Sequence, residues 1–301
     1  MSILVDDRTR ILVQGITGSV GRLDTGFCLE YGSRIVAGVT PGRGGRSVSG
    51  VPVFDTVAEA VDRTGANAAV QYVPARHAAD AVIEAASSGL TPIVALAENL
   101  PRHDAWRAAL AARDAGSVLI GFNTNGIISP GKTKLGGIGG PRPQDLFREG
   151  TVGVCSRSGG MSAEIALALA EAGSGVSTCV SMGGEAITGR TMAEYARWFE
   201  ADVATDAIVV FGEPGSDHEI RLAAAMQRGE VTKPVVALIV GEFQDAHPPG
   251  SSFGHLSAMV RTDTDRSVVK RDTLAAAGAL IAERVEDIPD LIRVGMGMEA
   301  K

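Results

Sequence analysis

Short β-branched runs alternate with Ala-rich stretches of helical period through the first part of this chain. Apolar runs at 10–14, 34–39, 68–73, 92–97 and 118–121 predict strands. Amphipathic stretches at 20–31, 57–64, 77–87 and 105–115 predict the helices between them. A βαβα rhythm of this kind builds a mostly parallel sheet with helices on both faces. Residues 129–150 interrupt it with Pro130, Pro141, Pro143 and six glycines from Gly131 to Gly150. The rhythm then resumes, with strands predicted at 152–155, 176–182, 207–212 and 235–240 and helices at 161–172, 192–201 and 219–228. A last helix is expected to open over 271–277. The predicted division is a domain over 1–130, a linker over 131–150 and a second domain over 151–301. In doubly wound folds ligands gather beyond the carboxyl ends of strands, so the strand-to-helix loops carry the function.

Length agrees with two domains, since 301 residues exceed the usual size of one. With 45% hydrophobic residues but 4% aromatics, the cores must be built from Val, Ile, Leu and Ala. A net charge of −7 argues against nucleic acid as a partner. Cys28, Cys155 and Cys179 have no metal-like spacing, no metal site is expected, and they read as reduced thiols of a cytoplasmic protein. No stretch has the apolar length of a signal peptide core or a membrane span, so a soluble protein without a membrane partner is expected.

Five loops carry chemistry. Gly15-Ile16-Thr17-Gly18-Ser19-Val20-Gly21 ends the first strand and opens a helix, where free N–H groups and the positive dipole end suit a phosphate. Its spacing is G-x-x-G-x-x-G, not the G-x-G-x-x-G of dinucleotide sites. After the second strand a nicotinamide site usually offers a ribose-binding acid, whereas this chain offers Arg43 and Arg46. Such arginines suit an added phosphate, as in NADP or the 3′-phosphate of coenzyme A. Ser156-Arg157-Ser158-Gly159-Gly160-Met161-Ser162-Ala163-Glu164 is a second anion cradle at a helix N-terminus. Finally, His255 lies among small residues in Gly254-His255-Leu256-Ser257-Ala258, and Glu213 follows the strand at 207–212. A carboxylate on one ring nitrogen of a histidine fixes the tautomer and leaves the other nitrogen nucleophilic.

Taken together these segments resemble the α subunit of succinyl-CoA synthetase, in the family of ADP- or GDP-forming acyl-CoA ligases. The likeness runs in order through Gln14-Gly15-Ile16-Thr17-Gly18-Ser19, Gly38-Val39-Thr40-Pro41-Gly42, Gly50-Val51-Pro52-Val53-Phe54 and Tyr72-Val73-Pro74. It continues through Ser156-Arg157-Ser158-Gly159, Gly212-Glu213, Lys233-Pro234-Val235 and Gly254-His255, nearly the whole chain. The resemblance implies an α/β fold with a Rossmann-like coenzyme-A-binding domain followed by a flavodoxin-like, doubly wound ligase domain. It implies that Thr17, Gly18, Ser19, Val20, Arg43, Tyr72, Val73, Pro74, Leu96, Ala97, Glu98 and Asn123 contact coenzyme A. His255 would carry the phosphoryl group, Glu213 would orient its ring, and Ser158, Gly159 and Gly160 would hold the phosphoryl group. Ser162 and Ala163 would line the pocket for a small carboxylic acid. The resemblance also implies an ATP-grasp β subunit, in an αβ or α2β2 assembly, that binds ATP or GTP with Mg. This chain has nothing like a nucleotide-binding P-loop. The activity implied is formation of an acyl-CoA from a di- or tricarboxylate, as in the tricarboxylic acid cycle.

Departures bear on the acid. The family reads Ser-Gly-Thr-Leu-Thr-Tyr-Glu where this chain reads Ser158 to Glu164, so Ala163 replaces a tyrosine. The Gly-Gly-Met-Ser form is similar to ATP-citrate lyase and citryl-CoA synthetase. His255-Leu256-Ser257-Ala258 replaces His-Ala-Gly-Ala, Arg43 replaces a lysine, and Thr124 and Asn125 replace a Cys-Pro pair. Two alternatives stand beside the ligase. One is a non-catalytic module that binds coenzyme A or an acyl-CoA, and the other is an NADP oxidoreductase resting only on the glycine turn and its arginines.

Overall fold

The computed structural model describes residues 2–251, 253–255 and 257–299. The chain forms two compact α/β units, one of Leu4–Gln144 with Ile187–Gly189 and one of the remaining described residues. Both sheets are rich in parallel strands, and residues buried on both faces explain why their strands read as near-continuous apolar runs.

In the first unit the sheet contains β1 (Arg10–Gln14), β2 (Arg34–Val39), β3 (Ser47–Val48), β4 (Val51–Phe54), β5 (Ala68–Gln71), β6 (Ile93–Ala95) and β7 (Leu119–Gly121). The order is β3-β4-β2-β1-β5-β6-β7, parallel except for the β3–β4 hairpin. Four helices join the strands: α1 (Ser19–Glu30), α2 (Val57–Thr64), α3 (Ala75–Ser87) and α4 (Arg102–Asp114). Thr56 caps α2 by accepting the Glu59 N–H, and Gly65 closes it in the left-handed region at φ 63°. Chain order reverses beside β1, where Gln14 pairs with Val39 on one side and Gln71 on the other. That reversal opens a crevice at the end of β1. The β3–β4 hairpin was not legible because its turn, Ser49 and Gly50 with φ of 49° and 81°, leaves only short arms.

The proline- and glycine-rich stretch 131–150 is structured. Strands β8 (Ile127–Ser129) and β9 (Thr133–Leu135) form an antiparallel hairpin, and residues up to Gln144 belong to the first unit. Lys134 is fully buried there, donating to the carbonyls of Ile138 at 3.2 Å and Gly140 at 2.7 Å. A lysine that gathers carbonyls holds its glycine-rich surroundings in place, which turn composition alone does not reveal.

The second unit places five parallel strands in the order β14-β13-β12-β10-β11. They are β10 (Glu149–Ser156), β11 (Val176–Ser181), β12 (Ala207–Gly212), β13 (Val235–Ile239) and β14 (Leu280–Ala282). Read from β11, this is the 2-1-3-4-5 order of flavodoxin-like sheets. The helices are α5 (Gly159–Glu171), α6 (Met192–Ala201), α7 (His218–Gln227), α8 (Ser267–Ala276) and α9 (Ile288–Gly295). Ser158 caps α5, and Thr191 with Glu194 forms a capping box on α6. Register brings Ser156 beside Phe211, so the turn after β10 and the turn after β12 emerge side by side. Among the described residues no helix is long and apolar enough to cross a membrane.

Candidate functional site

The crevice at the end of β1 is a cleft of about 680 Å³ lined by Gly15, Thr17, Gly18, Tyr72, Val73 and Pro74 among others. Its floor depends on glycine. Gly15 has φ +79°, and a Cβ there would lie 2.4 Å from the Tyr72 carbonyl oxygen. The Gly18 N–H donates to the Gly15 carbonyl at 3.0 Å, which curls the turn into α1. No side chain caps α1 and no acid lies in its first turn, so its positive end stays available to an anion. Thr17 Oγ donates to Thr40 Oγ at 3.2 Å across the mouth. These features fit the phosphates of coenzyme A.

Ser19 and Val20 open α1, and Val20 is exposed. Arg43 is exposed on the turn after β2, whose shape Asp55 sets by accepting the N–H groups of Arg43 and Gly44, both at 2.9 Å. Leu96, Ala97 and Glu98 follow β6, and the Asn123 N–H donates to Ala97 at 2.9 Å. These positions border the same sheet edge without lining the cleft. Gln14, Ala81 and Glu84, none of them foreseen as site residues, also line the cleft, and hydrogen bonds tie them to their neighbours. Gln71 donates to Gln14 at 2.8 Å, Gln14 donates to the Ala81 carbonyl at 3.1 Å, and Glu84 accepts the Val57 N–H at 2.9 Å. The signal available was a pair of glutamines closing otherwise apolar strands.

In the second unit the strand register delivers the other set. His255 Nδ1 lies 2.9 and 3.0 Å from the two carboxylate oxygens of Glu213. The ring is half-buried, with 30% of its side chain exposed, and the carboxylate is 12% exposed. Glu213 raises the imidazole pKa from its ordinary value, chiefly through this hydrogen bond, and burial and the Arg157 cation oppose it. With Nδ1–H committed to the carboxylate, the neutral ring carries its lone pair at Nε2.

Glu213 is itself held from below. Lys270 Nζ donates to the Glu213 carbonyl at 2.6 Å and to Glu219 at 2.6 Å, and also donates to the Gly215 carbonyl. Both Lys270 and Glu219 have 0% side-chain exposure. The other oxygen of Glu219 accepts the Glu213 N–H at 3.3 Å. A buried ion pair therefore fixes the backbone of the loop that aims Glu213. Nothing in the local sequence marks either residue, because their partners lie on other elements. Beside them His218 is buried among the Arg157, Lys270 and Arg221 cations, and burial first, then those charges, lower its pKa to about 3.

The turn preceding α5 is equally braced. Ser156 Oγ donates to the Ser158 carbonyl at 2.7 Å and accepts the Ser158 N–H at 3.1 Å, and Ser158 Oγ accepts the Met161 N–H at 3.4 Å. Gly159 and Gly160 begin the helix, with Gly160 exposed. Ser162, expected beside the substrate, is fully buried and donates to the Ser158 carbonyl at 2.9 Å, so its hydroxyl serves the turn. Ala163 is half-buried on the first turn of α5. Arg157 is buried, and burial lowers its pKa against the pull of Glu213 and Glu219. Leu256, expected to crowd the histidine, lies outside the described residues. Cys155 and Cys179 are buried thiols whose pKa burial raises, to about 12 for Cys179, which leaves them chemically quiet.

Comparison with known proteins matches both units. Residues 6–99 match the coenzyme-A-binding domain family, and residues 149–294 match the flavodoxin-like domain of succinyl-CoA ligases. The chain is 44% identical over 292 residues to subunit alpha 2 of a succinate–CoA ligase (ADP-forming) from Archaeoglobus fulgidus, covering 97% of this chain and 99% of that one. It is 38% identical over 286 residues to the alpha subunit of malate–CoA ligase from Methylorubrum extorquens, covering 94% of each. Among solved structures, ATP citrate lyase of Methanothrix soehngenii with citrate and coenzyme A aligns with a TM-score of 0.89 at 25% identity. That match covers 98% of this chain, which spans 50% of the lyase chain.

Proposed function

The chain belongs to the succinate–CoA ligase α-subunit family of acid–thiol ligases, and from that premise we propose that His255 is its phosphoryl carrier. The reaction joins a di- or tricarboxylate to coenzyme A at the expense of ATP or GTP bound with Mg on an ATP-grasp partner subunit. The observation that carries this reading is the Glu213 clamp on Nδ1 of His255, 2.9 Å away, next to the turn that opens α5.

His255 Nε2 attacks the γ-phosphorus, and the bond to the departing nucleoside diphosphate breaks. Glu213 holds the Nδ1 proton and offsets the positive charge that grows on the ring. The Ser158-Gly159-Gly160 end of α5 and the buried Arg157 supply fixed positive potential for the phosphoryl oxygens. The group then passes from Nε2 to a carboxylate oxygen, giving an acyl phosphate. Coenzyme A, held by the Gly15–Val20 turn, Arg43 and the ends of β5 to β7, supplies the thiol that displaces inorganic phosphate. Storing the group on histidine divides one hard exchange into two easier ones.

The test is to incubate the purified chain and its partner subunit with γ-labelled nucleotide. The expected result is an acid-labile, base-stable label on this chain that His255→Asn abolishes. An undiminished label in that variant refutes the carrier role. Calorimetric binding of coenzyme A with no label under any nucleotide would instead assign a non-catalytic binding module. A panel of succinate, malate and citrate with the active pair then identifies the acid.

A further inference from the structure

The segment bearing His255 is tied down by a residue outside the carrier pair. Its stem is closed where the Gly250 N–H donates to the Val260 carbonyl at 2.8 Å, and the Ala258 N–H donates back to His255 at 2.9 Å. Ser257 is buried, and its single hydroxyl is fully engaged. It donates to the Gly184 carbonyl at 2.5 Å and accepts from Arg157 Nη2 at 2.6 Å. Gly184 in turn faces the imidazole directly, because a Cβ on it would lie 3.0 Å from three of the ring atoms. Arg157 also donates to the Glu185 carbonyl at 3.3 Å. One hydroxyl therefore joins three things: the histidine loop, the backbone against which the ring rests, and the arginine that precedes the Ser158 turn.

We propose that Ser257 is a latch that positions the His255 ring against Gly184 and Glu213, with Arg157 as its anchor. Glycine, which stands here in the pattern His-Ala-Gly-Ala that the chain resembles, has no side chain to make these bonds. A hydrogen bond from a guanidinium is among the stronger kinds, and both ends of this one are buried. Without it the loop keeps its closed stem, but the ring loses the backbone restraint that seats it against Glu213. Ser257 acts through the ring and is a positioning residue. Its consequence for phosphoryl transfer rests on His255 being the carrier, whereas its effect on the ring does not.

The decisive measurement follows the His255 imidazole nitrogens by NMR against pH in the full chain labelled with 15N-histidine. Glu213 and Glu185 hold the ring's midpoint up and Arg157 pushes it down, with Glu213 dominant, so a ring freed from its clamp titrates lower. In Ser257→Ala the midpoint falls toward the ordinary value. Ser257→Gly, matching the family pattern, gives the same fall should the alanine variant fold poorly. Ser257→Thr retains the hydroxyl and the wild-type midpoint. With the partner subunit, Ser257→Ala takes up label about tenfold more slowly, in keeping with a misplaced nucleophile. An unchanged midpoint in both the alanine and glycine variants, or an equal fall in Ser257→Thr, overturns the latch. If the wild-type chain takes no label at all, the carrier role falls, and the titration still decides the latch.

Discussion

Glu213 is the main influence on how the His255 imidazole titrates, and the pH dependence expected of the proposed carrier follows from the direction of that influence. Glu213 raises the imidazole pKa above the ordinary 6.5, so the charged form persists to higher pH in the folded protein. In the proposed carrier role the neutral ring is the nucleophile. Labelling is therefore expected to rise with pH through a midpoint above 6.5, read from initial rates of label uptake across the range. Glu213→Gln removes the charge that holds the midpoint up, moving it down while slowing labelling by roughly 100-fold. A midpoint unmoved in that variant would show that Glu213 does not tune the ring. In stability terms the raised pKa favours the folded state below 6.5, and that contribution is lost as pH rises through the folded midpoint. The pairing of the histidine with its acid was expected only through the family resemblance, which rests on Gly254-His255 and Gly212-Glu213. Ser257 and Gly184 were not, since their roles arise only where separate loops meet.

At the scale of elements, the Lys270–Glu219 pair decides where a loop stands. Lys270 lies on α8 and Glu219 on α7, and together they tie down the segment from Gly212 to Gly215. Breaking one side of a fully buried ion pair leaves an uncompensated charge. Lys270→Met is accordingly expected to destabilise the protein by about 3–5 kcal/mol, measured by urea unfolding. The double variant Lys270→Met/Glu219→Leu should recover much of that loss, because both charges are then gone. An equal loss in the double variant would mean that the lysine matters for its carbonyl contacts alone. The same lysine explains why α8 was expected only from residue 271. A charged residue on the buried face breaks the apolar period, although the helix begins at Ser267. The short strands β3 and β14 escaped for a different reason, as each has too few residues to establish a period, and α9 at Ile288–Gly295 lies beyond the helix expected to be the last.

For the molecule as a whole, His218 is expected to make stability sensitive to acid. His218 is buried beside Arg157, Lys270 and Arg221 and has its pKa lowered to about 3. Below the ordinary imidazole value of 6.5 the unfolded chain takes up a proton that the native chain refuses. Stability is thus fully present above that value and falls as pH drops, by up to about 1.4 kcal/mol per pH unit from this group. His218→Gln should flatten the fall, seen as a smaller change in urea midpoint between about pH 6 and about pH 4. A midpoint that falls just as steeply in the variant would assign the acid response to other groups.

The order of apolar and polar residues by itself determined the two α/β units, the parallel strands and the loops that follow them, because buried parallel strands must be apolar on both faces. The glycine turns that open helices were local as well, and so readable, whereas the histidine gained its expected role from the family resemblance. Only the tertiary structure decided what braces those loops. Lys134 gathering the carbonyls of a glycine-rich stretch, Lys270 beneath Glu213, and Ser257 between Arg157 and Gly184 are all buried polar contacts. Their partners are distant along the chain or lie outside any regular period. Composition records such residues as ordinary polar ones, and burial turns each into an obligation that a single geometry meets.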